Sequence, residues 1–131
     1  MIKAKPMKKL LIAIDFDGTI VESKFPEIGE FKPHAVRIMK ALIEQGHKLI
    51  LNTCREDCKR RKYLQEAVDA CKKAGIEFRS INENHCDDDF RDTDYKRRKI
   101  YAHYYIDDRN FQAEIDWLVI GRHFGIEDAP V

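Results

Sequence analysis

Apolar residues in this chain fall into short unbroken runs, separated by stretches in which they recur every three or four positions. Leu10-Leu-Ile-Ala-Ile14 is continuous and ends at an acid, Asp15. Lys48-Leu-Ile-Leu-Asn-Thr53 and His103-Tyr-Tyr-Ile-Asp107 have the same form. Runs of this kind predict strands buried on both faces, as in a parallel sheet covered by helices. Ile76-Glu-Phe-Arg-Ser-Ile81 alternates instead and predicts a weaker strand at a sheet edge.

The intervening stretches predict helices. Pro33 suits a first helical position, and Ala35, Ile38, Met39, Leu42 and Ile43 follow at helical spacing until Gly46. A second stripe of Leu64, Ala67, Val68, Cys71 and Ala74 ends at Gly75. A third helix is predicted from about Ala113 to His123, burying Ile115, Leu118 and Trp117. Strand and helix alternate, which predicts an α/β fold: a three-layer, open, Rossmann-like parallel sheet with right-handed crossovers.

A length of 131 residues fits a single domain over 1–131. With 44% hydrophobic and 36% charged residues, the chain reads as an ordinary globular protein. Its 24 basic and 23 acidic residues nearly cancel, which argues against a nucleic-acid coat or a polybasic membrane binder. The apolar run after Lys9 stops at Asp15, too soon for a secretion signal, and nothing approaches the roughly 20 apolar residues of a membrane span. Cys54, Cys58, Cys71 and Cys86 form no C-x-x-C pair and are expected to be reduced thiols of a cytoplasmic protein. The spacing of Cys54, Cys58, His85 and Cys86 does not match a zinc knuckle.

Sites in open parallel sheets form beyond the carboxyl ends of the strands. Here those ends carry Asp15 and Asp17, then Thr53-Cys54-Arg55, then Asp107-Asp108, with Lys96 and Lys99 just before the last strand. Carboxylates gathered in one crevice raise one another's pKa unless a cation balances them. Oxygen donors alone favour magnesium. An ionised carboxylate is a ready nucleophile toward a phosphate ester, and a second acid beside it can protonate the leaving group. Asp17 is placed for that second role, and Gly18 lets the chain turn sharply beside a ligand.

Asp15-Phe16-Asp17-Gly18-Thr19 resembles the signature of the haloacid dehalogenase superfamily of phosphatases. Thr53, a lysine, and Asp107-Asp108 follow in the order of that family's motifs, so the likeness spans almost the whole chain. It implies a magnesium-dependent phosphomonoester hydrolase acting through an aspartyl-phosphate on Asp15. Asp15 would be nucleophile and metal ligand, and Asp17 the acid/base, with its main-chain carbonyl also on the metal. Thr53 and the amide of Cys54 would hold a phosphoryl oxygen, and Asp107 with Asp108 would complete the magnesium site. Lys96 and Lys99 both match the lysine position. Lys99 is preferred because Arg98-Lys-Ile-Tyr-Ala102 reads as a helical turn into the last strand. Arg55 with Glu56 reads equally as a substrate contact or a solvated pair.

Many members of the superfamily carry a cap domain over the site. The segments Ile20 to Lys32 and Asn82 to Arg98 are too short to fold one, so a capless enzyme is expected. An open site suits a bulky phosphorylated substrate, or a homo-oligomer whose second subunit supplies the lid. Thr53-Cys54-Arg55-Glu56 also resembles the hydroxyl-x-Arg-Glu form of polynucleotide 3′-phosphatase domains, which makes a nucleic-acid end the alternative substrate. A non-catalytic phosphate-binding module would present the same residues. His47, His85 and His103 have no partner legible in the sequence and are read as structural.

Overall fold

The computed structural model describes residues 8–83 and 99–128. The elements follow one another as strand β1 (Leu11–Ile14), helix α1 (Ala35–Glu44), strand β2 (Lys48–Leu51), helix α2 (Tyr63–Lys73), strand β3 (Ser80–Ile81), strand β4 (Tyr104–Ile106) and helix α3 (Trp117–His123). The strands form one sheet in the order β3-β2-β1-β4, and every pairing is parallel. This is the expected α/β, Rossmann-like, open parallel sheet. Among the described residues no cap stands over it.

From β1 to β3 the chain steps in one direction across the sheet. Two right-handed crossovers stepping the same way put their helices on the same face. Accordingly Ile12, Ile14, Leu49 and Leu51 form one core with Ile38 and Met39 of α1, Ala67 and Cys71 of α2, and Trp117 of α3. On the opposite face Leu11, Ala13 and Ile50 pack under Ile100 and Ala102. The continuous apolar run at 10–14 is explained by this double burial.

After β3 the order reverses, and β4 returns to the far side of β1. Strand direction and strand order therefore create a crevice between the carboxyl ends of β1 and β4, where ligands bind in open sheets. At an edge of the sheet among the described residues, β4 departs from the prediction of a doubly buried strand. Tyr104 and Tyr105 are each 39% exposed, at the rim. Tyr104 meets the rings of His123 and Phe124 edge-on.

Helix boundaries are set by local chemistry. Gly46, at φ +92°, ends α1 in the left-handed region, where only a residue without Cβ sits unstrained. The His47 N–H then reaches the Leu42 carbonyl at 3.1 Å and the Gly46 N–H reaches that of Ile43 at 2.9 Å, a Schellman end. The same pair of bonds closes α2 at Gly75 and α3 at Gly125. Helix α1 starts at Ala35, later than Pro33, because Pro33 and the left-handed His34 (φ 67°) are spent in a turn. Helix α3 starts at Trp117, not near Ala113, because the Asp116 carboxylate caps it, accepting from the Leu118 N–H at 3.0 Å.

Two histidines pin the entry of β1. His47 Nδ1 accepts from the Leu10 N–H at 3.0 Å, and His103 Nδ1 accepts from the Leu11 N–H at 2.9 Å. Burial, with Lys9 nearby, holds the His47 imidazole below its ordinary value of 6.5. Its stabilising contribution is therefore complete above about pH 6.5 and is lost as pH falls through the lowered value. On acidification over this range the native protein should lose melting temperature relative to His47→Asn, which keeps an acceptor without titrating. Identical slopes in both proteins would refute this role.

Candidate active site

The Asp15 N–H continues the β1–β4 ladder by donating to the Ile106 carbonyl at 2.9 Å. The chain then leaves the sheet in a tight turn around the Phe16 carbonyl, which accepts from the N–H groups of Thr19, Ile20 and Val21. Phe16 is wholly buried and anchors this turn. Gly18, at φ +83°, passes so close to β4 that a Cβ there would stand 2.3 Å from Asp108 Oδ2. The left-handed φ would strain any side chain at this point, and its Cβ would push the Asp108 carboxylate out of place.

The turn and the end of β4 bring acids together. Asp15, Asp107 and Asp108 each offer a carboxylate oxygen, all within 4.8 Å of one another. Thr19 is tied into this group: its Oγ1 accepts from the Asp108 N–H at 3.0 Å and lies 3.3 Å from Asp15 Oδ2 and 3.2 Å from Asp108 Oδ1. A hydroxyl has one proton, so Thr19 serves one of these carboxylates at a time. The Trp117 indole N–H holds the Thr19 carbonyl at 2.9 Å, fixing the turn from behind. Burial foremost, and the charges of Asp107 and Asp108, push Asp15 up to about 7, against a lowering hydrogen bond from the Phe16 backbone. An unbalanced cluster of hard oxygen donors is what a divalent cation such as magnesium fits.

Residues 12–118 match the family of haloacid dehalogenase-like hydrolases. The chain belongs to that family. A solved structure of a conserved protein from Bacteroides thetaiotaomicron is similar over 90% of this chain and 91% of that one, with 37% identity and a TM-score of 0.75. No curated protein matches the chain.

The other strand-end residues of this hydrolase lie around the same crevice. A cavity of about 350 Å³ is lined by Asp15, Asp17, Thr53, Cys54, Arg55, Asp107 and Asp108, with Ser23, Phe25 and Arg109. Thr53 is held by Asn82 at the end of β3. The Thr53 N–H donates to Asn82 Oδ1 at 2.8 Å, and Thr53 Oγ1 accepts from the Arg55 N–H at 3.2 Å. A larger cavity of about 800 Å³, beside Lys32 and Asp116, contains none of the strand-end residues, so chemistry and not size marks the site.

Arg55 does not present its guanidinium to the cavity as a free anion ligand. Its side chain is 1% exposed and grips Asp17 with both prongs, Nε to Oδ2 at 2.8 Å and Nη2 to Oδ1 at 2.9 Å. It also donates to the carbonyls of Tyr63 at 3.2 Å and Glu27 at 3.0 Å. Asp17 is thus paired with Arg55 and does not join the three clustered acids, although it lines the same cavity. Lys99 lines an adjoining cavity of about 650 Å³ with Asn52, His103, Tyr105 and Asn110, and Asp107 borders both spaces. Its Nζ lies 5.9 Å from the centre of the Tyr105 ring. Lys96, His85, Cys86 and the acidic run at 87–89 lie outside the described residues.

The segment expected to be too short for a cap doubles back as a flap. Val21 bridges Phe31 in antiparallel fashion, Glu22 N–H meets the Glu30 carbonyl at 2.8 Å, and Lys32 N–H meets that of Ile20 at 2.8 Å. Among the described residues, Cys54 and Cys58 are exposed free thiols, Cys71 is buried, and no helix is long and apolar enough to cross a membrane.

Proposed function

We propose that this hydrolase is a magnesium-dependent phosphomonoesterase that works through an aspartyl-phosphate on Asp15. The observation that carries the reading is the meeting of Asp15, Asp107 and Asp108 at the β1–β4 crevice, in one cavity with Thr53. Asp15, Asp107 and Asp108 would hold the metal, which when bound neutralises charge on the phosphoryl group. Asp15 Oδ attacks phosphorus as the ester P–O bond breaks. Asp17, when protonated, gives its proton to the departing alkoxide, and then, as the carboxylate paired with Arg55, takes one from the water that cleaves the P–Oδ bond and frees phosphate. Arg55 orients Asp17 without exhausting it, since each carboxylate oxygen keeps a second lone pair. Thr53 and the Cys54 amide orient a phosphoryl oxygen, and Lys99 or the exposed Arg109 at the rim supplies positive charge.

With a flap in place of a cap, the site admits a bulky phosphorylated substrate. A nucleic-acid 3′-phosphate is the alternative to a small ester, and a second copy of the chain would cover the mouth. Hydrolysis of p-nitrophenyl phosphate should require magnesium, cease with EDTA and return with excess metal. Turnover indifferent to EDTA, or none across nucleotides, sugar phosphates, phosphopeptides and 3′-phosphorylated oligonucleotides, would reject the reading.

The raised Asp15 value gives a second check. Because its folded value of about 7 exceeds the ordinary 3.8, the metal-free fold gains stability as pH falls through 7 and loses it as pH rises. A cation competes with that proton and relieves the repulsion only above this range. Magnesium should therefore raise the melting temperature several degrees at about pH 8 and little at about pH 5.5. Equal shifts at both pH values would contradict the assignment of Asp15 as a ligand.

A further inference from the structure

Phe25 is the one large apolar side chain at the wall of the catalytic cavity that is largely bare, at 56% exposure among the described residues. Its position is nevertheless fixed. The Arg55 guanidinium lies 5.1 Å from the ring centre, and the Tyr63 ring supports it at 5.4 Å with a 42° tilt. The flap that carries it is tied twice from α2's side of the crevice. Arg55 Nη2 donates to the Glu27 carbonyl at 3.0 Å, and Arg61 bridges the carboxylates of Glu27 (3.1 Å) and Glu66 (2.7 Å). An isolated exposed aromatic is ordinary on a protein surface. An aromatic held from beneath, at the mouth of a phosphate-sized cavity, is a surface prepared for a second flat group.

We propose that Phe25 is a stacking platform for the organic half of the phosphoester, so that the preferred substrates are aryl phosphomonoesters, with an aromatic group next to the phosphate, over purely aliphatic ones. The proposal rests on the phosphomonoesterase reading of the same cavity. The distribution of groups supports it: the strand-end acids and Thr53 occupy the cavity floor, while the flap offers Ser23 and Phe25, no charge, to whatever extends outward. The Arg55 cation behind the ring also polarises it toward an electron-rich partner on its open side.

The test is equilibrium binding of two non-hydrolysable probes, phenylphosphonate and methylphosphonate, to the full chain with magnesium, alongside kcat/KM for phenyl phosphate and glycerol phosphate. The native protein should prefer phenylphosphonate by about tenfold, the scale of one aromatic stack. Phe25→Ala should abolish most of that preference while leaving methylphosphonate binding unchanged, which also shows that the cavity is still formed. Phe25→Trp should retain the preference, and Phe25→Leu should fall between. A preference that survives in Phe25→Ala, or no preference in the native protein, overturns the proposal. So does an equal loss for both probes, which would mean that Phe25 only shields the Arg55–Asp17 pair. Failure is separable from that of the activity itself: methylphosphonate that does not bind, with no ester turned over, rejects the phosphatase reading and the platform together. An aromatic preference without hydrolysis rejects catalysis and leaves the platform standing.

Discussion

Asp15→Asn should abolish phosphatase turnover and at the same time make the metal-free protein more resistant to heat at neutral and alkaline pH. Asparagine keeps the shape of the residue but is no nucleophile toward phosphorus, so kcat should fall by about 10³-fold or more. The gain in stability follows from the same residue's surroundings. Burial and the neighbouring charges of Asp107 and Asp108 oppose ionisation of Asp15, and an amide removes that opposition. Activity and stability thus trade against each other at one atom group, as sites under electrostatic strain commonly do. Turnover with magnesium and melting temperature without metal, both measured on the same preparation at about pH 8, decide it. An active Asp15→Asn would end the nucleophile assignment, and an inactive one that melts earlier would contradict the account of the acid cluster.

Arg55 is expected to be the most sensitive position for stability. Arg55→Ala leaves the Asp17 carboxylate, 20% exposed, without its partner, and strips donors from the carbonyls of Tyr63 and Glu27. Breaking a buried pair in this way costs about 3 kcal/mol or more. Against a total stability of about 5–15 kcal/mol, that brings the fold close to its limit. Arg55→Lys should recover only part of the loss, because one ammonium cannot supply a two-pronged bond to Asp17 and reach two carbonyls as well. The double variant Arg55→Ala/Asp17→Ala should be less destabilised than the sum of the single changes, since the stranded charge is gone. Denaturant melts of Arg55→Ala, Arg55→Lys, Asp17→Ala and the double variant measure this. Additive effects would mean that the pair is not coupled.

The readability of this fold from sequence tracks how local each determinant is. The run at 10–14 was legible because β1 is buried on both faces, and the strand-end acids were legible because the crevice lies where strands of any open sheet end. Gly46 and Gly75, which close the first two helices, announced themselves, since each occupies a left-handed position that sequence spacing already marked. The Asp116 cap carried a local signal too, an Asx residue two positions before Leu118, and would have moved the start of α3 to its place.

Other features depend on approaches that no spacing encodes. Arg55 meets Asp17 across 38 positions, and Thr19 meets Asp108 across 89. His47 and His103 looked idle because their partners are backbone N–H groups of β1, contributed by tertiary packing. The exposure of β4 follows from strand order, and its apolar run reads the same at an edge as in the centre. Lys99 lies close to the last strand in sequence, but which cavity it lines depends on a path of the chain that local pattern does not describe. Phe25 gave no sign because a single aromatic in a Pro- and Gly-containing loop has no periodicity to read.

The contact between the Trp117 indole and the Thr19 carbonyl has a practical side. Trp117 is the single tryptophan of the chain, and its partner residue also carries the hydroxyl that touches Asp15 and Asp108. Indole emission responds to the strength of the bond its N–H makes and to the field around the ring. The protein therefore contains a native optical reporter two bonds' reach from its acid cluster. Loading of that cluster can be followed by light on the unlabelled chain, without any turnover taking place.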